Sequence, residues 1–161
     1  RGNADPVGRR LRLLIFWRIS AFADLTGRGG ILAGGRWHTA GRPVVYLAGT
    51  PAGAMLEILV HLEIDQDDLP ETLQLLTVEV PDDISLAPAP ALKPDWEFEP
   101  NHTKGIGDAF LKGCPALLLP VPSAIMPHSL NYLFNPMHLD SVKAVITAEP
   151  FRLDNRLLKK L

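Results

Sequence analysis

The sequence predicts an α+β fold, a compact single domain on a mixed or antiparallel sheet core, and three observations carry that expectation. Short runs rich in aliphatic, β-branched and aromatic residues recur at 11–20, 42–48, 73–80, 115–121 and 142–148. Each has strand length and is bounded by turn residues. Two or three short helical patterns lie between them, and no long helix, heptad or internal repeat is present, which suits a layered α+β domain. With 161 residues, 47% of them apolar and 21% charged, the chain has enough material for one core. Residues 1–12, with Arg1, Arg9, Arg10 and Arg12, read as a solvated basic arm, and 13–161 as the domain.

The first strand is LRLLIFWRIS, with Arg18 the one charge near its end. Residues 24–35 read as loop, because Gly27, Gly29, Gly30, Gly34 and Gly35 permit tight turns or close approach to a ligand. RPVVYLA at 42–48 is the second strand, with Pro at its opening where a missing N–H does no harm. Thr50-Pro51 supplies an N-cap hydroxyl followed by Pro at the first helical position. The helix it opens runs to about Leu62, with Ala52, Met55, Leu56 and Leu59 as its expected core face. An acidic loop covers 65–70, and LQLLTVEV at 73–80 is the third strand. Residues 81–100 carry repeated prolines and read as a long irregular excursion. A helix is expected from Thr103 to about Lys112, ended by Gly113. Then come the strand PALLLPV, a Pro-Ser-Ala turn at 122–124, a segment with Asn131, Tyr132 and Asn135, a last strand at 142–148 and a polar tail or helical turn at 153–161.

Several function classes find no support. The formal net charge of −2 gives a nucleic-acid partner no global attraction. The single cysteine, Cys114, excludes an internal disulfide framework and reads as a buried small hydrophobe in a reducing compartment. No apolar run approaches the roughly 20 residues of a membrane helix, and no signal-peptide pattern stands near the start. A cytoplasmic location is the expectation. The five histidines show no metal-ligand spacing. Neither G-x-G-x-x-G after a strand, nor a P-loop, nor a G-x-S-x-G elbow occurs.

What remains is Arg, Tyr, Glu, Ser and Asn. Arg36 follows two glycines and can clamp phosphate or carboxylate, whereas Arg18, at a strand end, is more commonly a surface residue than a ligand group. Tyr46 closes a strand and offers a ring and a hydroxyl. Glu57 lies in a helix whose neighbours Ile58 and Val60 are apolar; the plain reading is a solvated helix-surface Glu, and the apolar flanks weigh against it. Ser123 ends a buried strand in a Pro-rich turn, where it enters a cleft or bonds its own backbone. This inventory lacks an obvious nucleophile–base pair. It suits a reaction whose substrate ionises by itself, such as loss of a cationic leaving group from a glycosidic carbon: Arg holds phosphates, an aromatic ring stacks, and a carboxylate stabilises the oxocarbenium-like centre.

The segments FWRIS at 16–20, GGRWHTAGRPVVYLA at 34–48, AMLEILVHLE at 54–63, LLLPVPSAIMP at 117–127 and NYLFNPMH at 131–138 together resemble the RES-domain toxins of bacterial Xre–RES toxin–antitoxin systems. The family takes its name from a shared Arg, Glu and Ser. The resemblance implies an ADP-ribosyltransferase-like fold and an enzyme that degrades NAD+. Matched residue by residue, it implies catalytic roles for Arg36, Tyr46, Glu57 and Ser123. It implies NAD+ contacts for Arg18, Ser20, Arg36, Trp37, Tyr46, Ser123 and Asn131. His38 stands where many members carry Asn. NAD+ would be a substrate rather than a recycled cofactor, with inorganic phosphate a candidate co-substrate and no metal. The implied partner is an Xre-type helix-turn-helix antitoxin, through which any DNA contact would pass; a toxin homodimer within that complex is a further expectation. The acceptor stays open between water, phosphate and a protein side chain, the last making the chain a protein ADP-ribosyltransferase. A non-catalytic antitoxin-binding module is the reading from another class.

Overall fold

The computed structural model describes residues 11–62 and 72–157. Its strands are β1 (Leu13–Ser20), β2 (Val45–Ala48), β3 (Leu73–Pro81), β4 (Leu118–Pro122), β5 (Leu130–Phe134) and β6 (Val145–Phe151). They form one six-stranded sheet in the order β4-β5-β2-β1-β3-β6. Every pairing between these strands is antiparallel. The α+β expectation holds, and antiparallel is the form the sheet takes.

Alternation along the strands sorts the residues into two faces. Leu76, Val78 and Val80 of β3 stand opposite Arg18, Phe16 and Leu14 of β1. Phe16, Val45, Leu47, Val78, Val80, Leu117, Leu118 and Phe134 close into one buried cluster on that face. Each fully buried Val, Leu or Phe there contributes about 1.5–3 kcal/mol. On the other face Ile19 and Ala48 receive α2 (Pro51–Leu62) through Ala54, Met55 and Ile58. The Thr50 hydroxyl accepts from the Gly53 N–H at 3.0 Å, so the expected N-cap is in place. The expected core face is turned by part of a revolution: Ala52 is exposed and Ala54 buried. In a helix apolar on most sides, periodicity does not fix the rotation.

Other departures have local causes. A short helix, α1 (Arg28–Leu32), occupies the expected loop. The helix α3 (Pro100–Gly113) starts three residues before Thr103, with Pro at its first turn. Thr103 is fully buried and its hydroxyl donates to the Arg36 carbonyl at 2.7 Å instead of capping. The left-handed cap position falls on Cys114 (φ 51°), just after Gly113. Cys114 is half-buried, with its Sγ 3.3 Å from Asn135 Nδ2. The excursion before α3 folds one 3-10 turn, Trp96–Phe98, and Ala87 donates to the Leu118 carbonyl at 2.8 Å, covering part of the β4 edge. β5 was not among the expected strands, and β6 begins later than expected, after a 3-10 turn at Leu139–Lys143. The acidic loop 65–70, most of the basic arm and the tail beyond 157 lie outside the described residues. No helix among the described residues is long and apolar enough to cross a membrane.

Candidate functional site

A cleft of about 250 Å³ opens between the N-terminal half of α2 and the turn that joins β4 to β5. Gly49, Gly53, Glu57, Ser123, His128 and Asn131 are among its walls. Glu57 is carried nearly two turns into α2, on the flank of the buried Ala54 stripe, and is half-buried. Asn131 of β5 donates from Nδ2 to Glu57 Oε1 at 2.7 Å. The Ser123 hydroxyl lies 3.3 Å from the same oxygen.

The direction of the serine proton follows from its other contacts. Ser123 Oγ accepts from the Ile125 and Met126 N–H groups, both at 3.2 Å. With its lone pairs so occupied, its single O–H is left for the carboxylate. Oε1 thus has two donors, while Oε2 accepts none from the described residues. The carboxylate is held in one orientation with one oxygen available to a ligand. Ser123 was expected either to enter a cleft or to bond its own backbone, and it does both.

A second polar block lies beside the first. The Tyr46 oxygen accepts from the Trp37 N–H at 3.2 Å and sits 2.8 Å from His38 Nδ1. His38 is buried, and its Nε2 faces the carbonyls of Gly30 and Ala33 at 3.2 and 3.1 Å. Two acceptors at Nε2 place the proton there, so Nδ1 accepts from Tyr46. Burial raises the Tyr46 hydroxyl well above its ordinary range, against a smaller opposing contribution from the Trp37 N–H. Asp108, Arg36 and Glu57 all act on that hydroxyl electrostatically, so Tyr46 is within reach of both the loop and Glu57. Gly35 serves the chain's own packing: a Cβ there would stand 2.7 Å from the Tyr46 oxygen.

Arg36 itself is exposed and does not line the cleft. Its Nη1 donates to the Glu97 carbonyl at 2.7 Å, and its guanidinium stands 6.0 Å from the Trp96 ring. α3 fixes the backbone beneath it. Besides the Thr103 bond, Asp108 accepts from the Thr39 N–H at 3.0 Å and hydroxyl at 2.9 Å, with Arg42 Nε 3.1 Å away. Burial alone would raise the Asp108 carboxyl; the two Thr39 donors and Arg42 outweigh it and hold it below the usual range. Gly107 packs directly on the Trp37 carbonyl, where any Cβ would overlap.

The remaining expected ligand residues stand apart. Trp37 is 3% exposed with its ring on Trp96, 5.4 Å between centroids, and serves as core. This leaves it no open face for a nicotinamide ring. Arg18 shares a sheet face with Phe16, Leu47 and Leu76, opposite the face of Ala48 and Asn131. Its burial lowers the guanidinium from its usual value, and Asp24 offsets part of that. Ser20 is buried, its hydroxyl accepting from the Phe22 N–H at 3.1 Å. Among the described residues no group of three or more His, Cys, Asp or Glu is placed to hold a metal ion. Reading by residue type passed over His128, whose sole sequence signal is its place in a Pro-His-Ser turn. It also passed over Thr103, Gly107 and Asp108, which look like ordinary helix residues until packed.

Residues 15–154 match the RES domain family. The chain is 58% identical over 144 residues to the protein named Toxin Res of Pseudomonas putida, covering 89% of this chain and 99% of that one. It is 37% identical over 139 residues to a Toxin Res of Photorhabdus laumondii, covering 83% and 88%. A Sphingobium protein named Prs ADP-ribosylating toxin is 38% identical over 139 residues, covering 78% and 84%. Among solved structures, a chain of the M. tuberculosis MbcT–MbcA toxin–antitoxin complex superposes with a TM-score of 0.69 at 18% identity, covering 88% of this chain and 85% of that one. That last likeness is one of fold.

Proposed function

This chain belongs to the RES-domain family, and on that premise we propose that it is the toxin of a toxin–antitoxin pair and depletes NAD+ by cleaving the nicotinamide N-glycosidic bond. The observation that carries the reading is the Glu57 carboxylate, fixed by Asn131 and Ser123 at Oε1 with Oε2 left to the cleft. A carboxylate so oriented stabilises the positive charge that develops on the ribose as neutral nicotinamide leaves. It also accepts hydrogen bonds from ribose hydroxyls. Arg36 brings an exposed guanidinium with further N–H donors beyond the one given to Glu97, suited to a pyrophosphate. Tyr46 joins the two parts. Water or inorganic phosphate captures the ribosyl cation, giving ADP-ribose or its phosphorylated form. NAD+ is consumed, so no resident cofactor is involved.

The relative named an ADP-ribosylating toxin supports a second reading, in which a protein side chain is the acceptor. The partner in either case is an antitoxin, of Xre helix-turn-helix type, seated over the cleft, with a toxin homodimer inside the complex. The working compartment is the cytoplasm, where NAD+ is held.

The test is incubation of the purified chain with NAD+, with and without phosphate, and mass analysis of the products. Glu57→Ala is expected to lower nicotinamide release at least about 100-fold with no change in thermal midpoint. Full activity in that variant would remove Glu57 from the mechanism. Trace nicotinamide accompanied by a labelled protein would favour the second reading.

A further inference from the structure

We propose that His128 is the acceptor-side group of this cleft, taking the proton from the water or phosphate hydroxyl that attacks the ribose carbon. The inference rests on the NAD+-cleaving reading above. His128 lines the same cleft as Glu57, Ser123 and Asn131. Its backbone is left-handed, φ 64°. Glycine adopts that conformation freely, whereas a residue with a Cβ is held there against its preference. Strained positions of this kind cluster at active sites and ligand clamps; the other two among the described residues, Asp95 and Cys114, are caps of helical turns, whereas His128 lines the cleft.

The turn is built to hold that presentation. Ser129 donates its N–H to the Met126 carbonyl at 3.3 Å, and the Ser129 carbonyl accepts from the Ser123 N–H at 2.9 Å. The residue whose hydroxyl steadies Glu57 therefore also anchors the turn that carries His128. Among the described residues, His38, His61 and His138 each have a ring nitrogen engaged by an internal partner, and His102, whose Nε2 is buried without one, does not line the cleft. The His128 ring is exposed and takes no such bond. Of the groups lining the cleft, it is the one that can become a cation. It can therefore receive a proton beside Glu57, and then offset the charge of an anionic acceptor.

The step balances. The bond from the ribose carbon to the nicotinamide nitrogen breaks with its electron pair on nitrogen, leaving neutral nicotinamide. A bond from the acceptor oxygen to that carbon forms. The acceptor's proton passes to the imidazole and from there to bulk water. Glu57 stays ionised throughout and serves the developing cation.

Two variants test this, His128→Gly and His128→Asn, each assayed for nicotinamide release from NAD+ in water and in phosphate. Glycine fits the left-handed position, so the His128→Gly chain is expected to melt at or above the wild-type temperature. Its kcat is expected to fall about 100-fold, the scale of general-base catalysis, with KM for NAD+ little changed. Added imidazole should restore at least about tenfold of that loss in His128→Gly and none in Glu57→Ala. His128→Asn, which keeps polarity but cannot take a proton, should be as slow as the glycine variant. Wild-type rates in both variants overturn the role of His128 while leaving NAD+ cleavage standing. So does a loss that imidazole fails to relieve. No nicotinamide release from the wild-type chain removes the parent reading and this inference with it.

Discussion

The Glu57 cleft and the Arg36 loop are neighbouring polar clusters that use their hydrogen-bonding groups in opposite ways. In the cleft, two donors converge on one carboxylate oxygen and, among the described residues, leave the other unbonded. In the loop, each group has a partner within the chain: Tyr46 with Trp37 and His38, His38 with Gly30 and Ala33, Thr103 with the Arg36 carbonyl, Thr39 with Asp108. The first arrangement has capacity for a ligand; the second, apart from the exposed Arg36 guanidinium, is a support. Chemistry and rigidity are thus separated in space, and substitutions in the two clusters should register in different assays.

The largest effect is expected from Gly107→Leu. Its side chain must displace the Trp37 carbonyl, which lies against α3. Overpacking of this kind costs about 3 kcal/mol, read as a lowered denaturation midpoint. Activity should fall along with stability because Arg36 moves with its backbone. Asn131→Ala comes next and should behave the other way. It removes the 2.7 Å donor that orients the Glu57 carboxylate, and losing a preorganised donor of this kind costs the transition state about 2 kcal/mol. Nicotinamide release is expected to drop roughly 30-fold, since 1.4 kcal/mol is tenfold, with the melting temperature nearly unchanged. A stability loss equal to the activity loss would erase the contrast between the two regions.

Tyr46→Phe tests the support more gently. It leaves the Trp37 N–H and His38 Nδ1 without partners, at about 1–3 kcal/mol of stability. The smallest effect is alkaline. Burial raises the Tyr46 hydroxyl in the folded chain, so above about pH 10, where an unfolded tyrosine ionises, the unfolded state binds fewer protons than the folded one. Stability is full below that pH and falls as pH climbs through it, by up to about 1.4 kcal/mol per unit. Chemical denaturation across this range should show the slope in the wild type and a shallower one in Tyr46→Phe.

Sequence patterning located the elements with strong local signals and missed those defined by packing. β1 and β3 read clearly because their apolar residues face one buried cluster. β5 escaped because LNYLF has Asn131 near its start and lies between Pro127 and the Asn135-Pro136 turn, a weak strand by propensity. It forms because β4 and β2 flank it on both sides. α1 escaped because two of its five residues are glycine. Within the site, the meeting of Glu57, Ser123 and Asn131 depends on pairing β5 to β2, which no local pattern states. Arg18 shows the converse: its strand was plain, but the face it occupies follows from the pairing of Trp17 with Ala48. Trp37 was expected among the NAD+ contacts; its burial against Trp96 follows from the packing of α3 and the turn before it. The left-handed turn of His128 has no signal beyond its neighbours Pro127 and Ser129.

One consequence of the strand order concerns the timing of synthesis. Glu57 and Asn131 are separated by 74 positions, and β5 pairs with β2 and β4. Such distant contacts close late in folding. A chain emerging from the ribosome has made α2 long before it has made β5, so the growing polypeptide holds Glu57 without the neighbour that orients it. The cleft comes into being only when Leu130–Phe134 has been translated and zipped into the sheet. Nearly the whole domain must exist before its chemistry can.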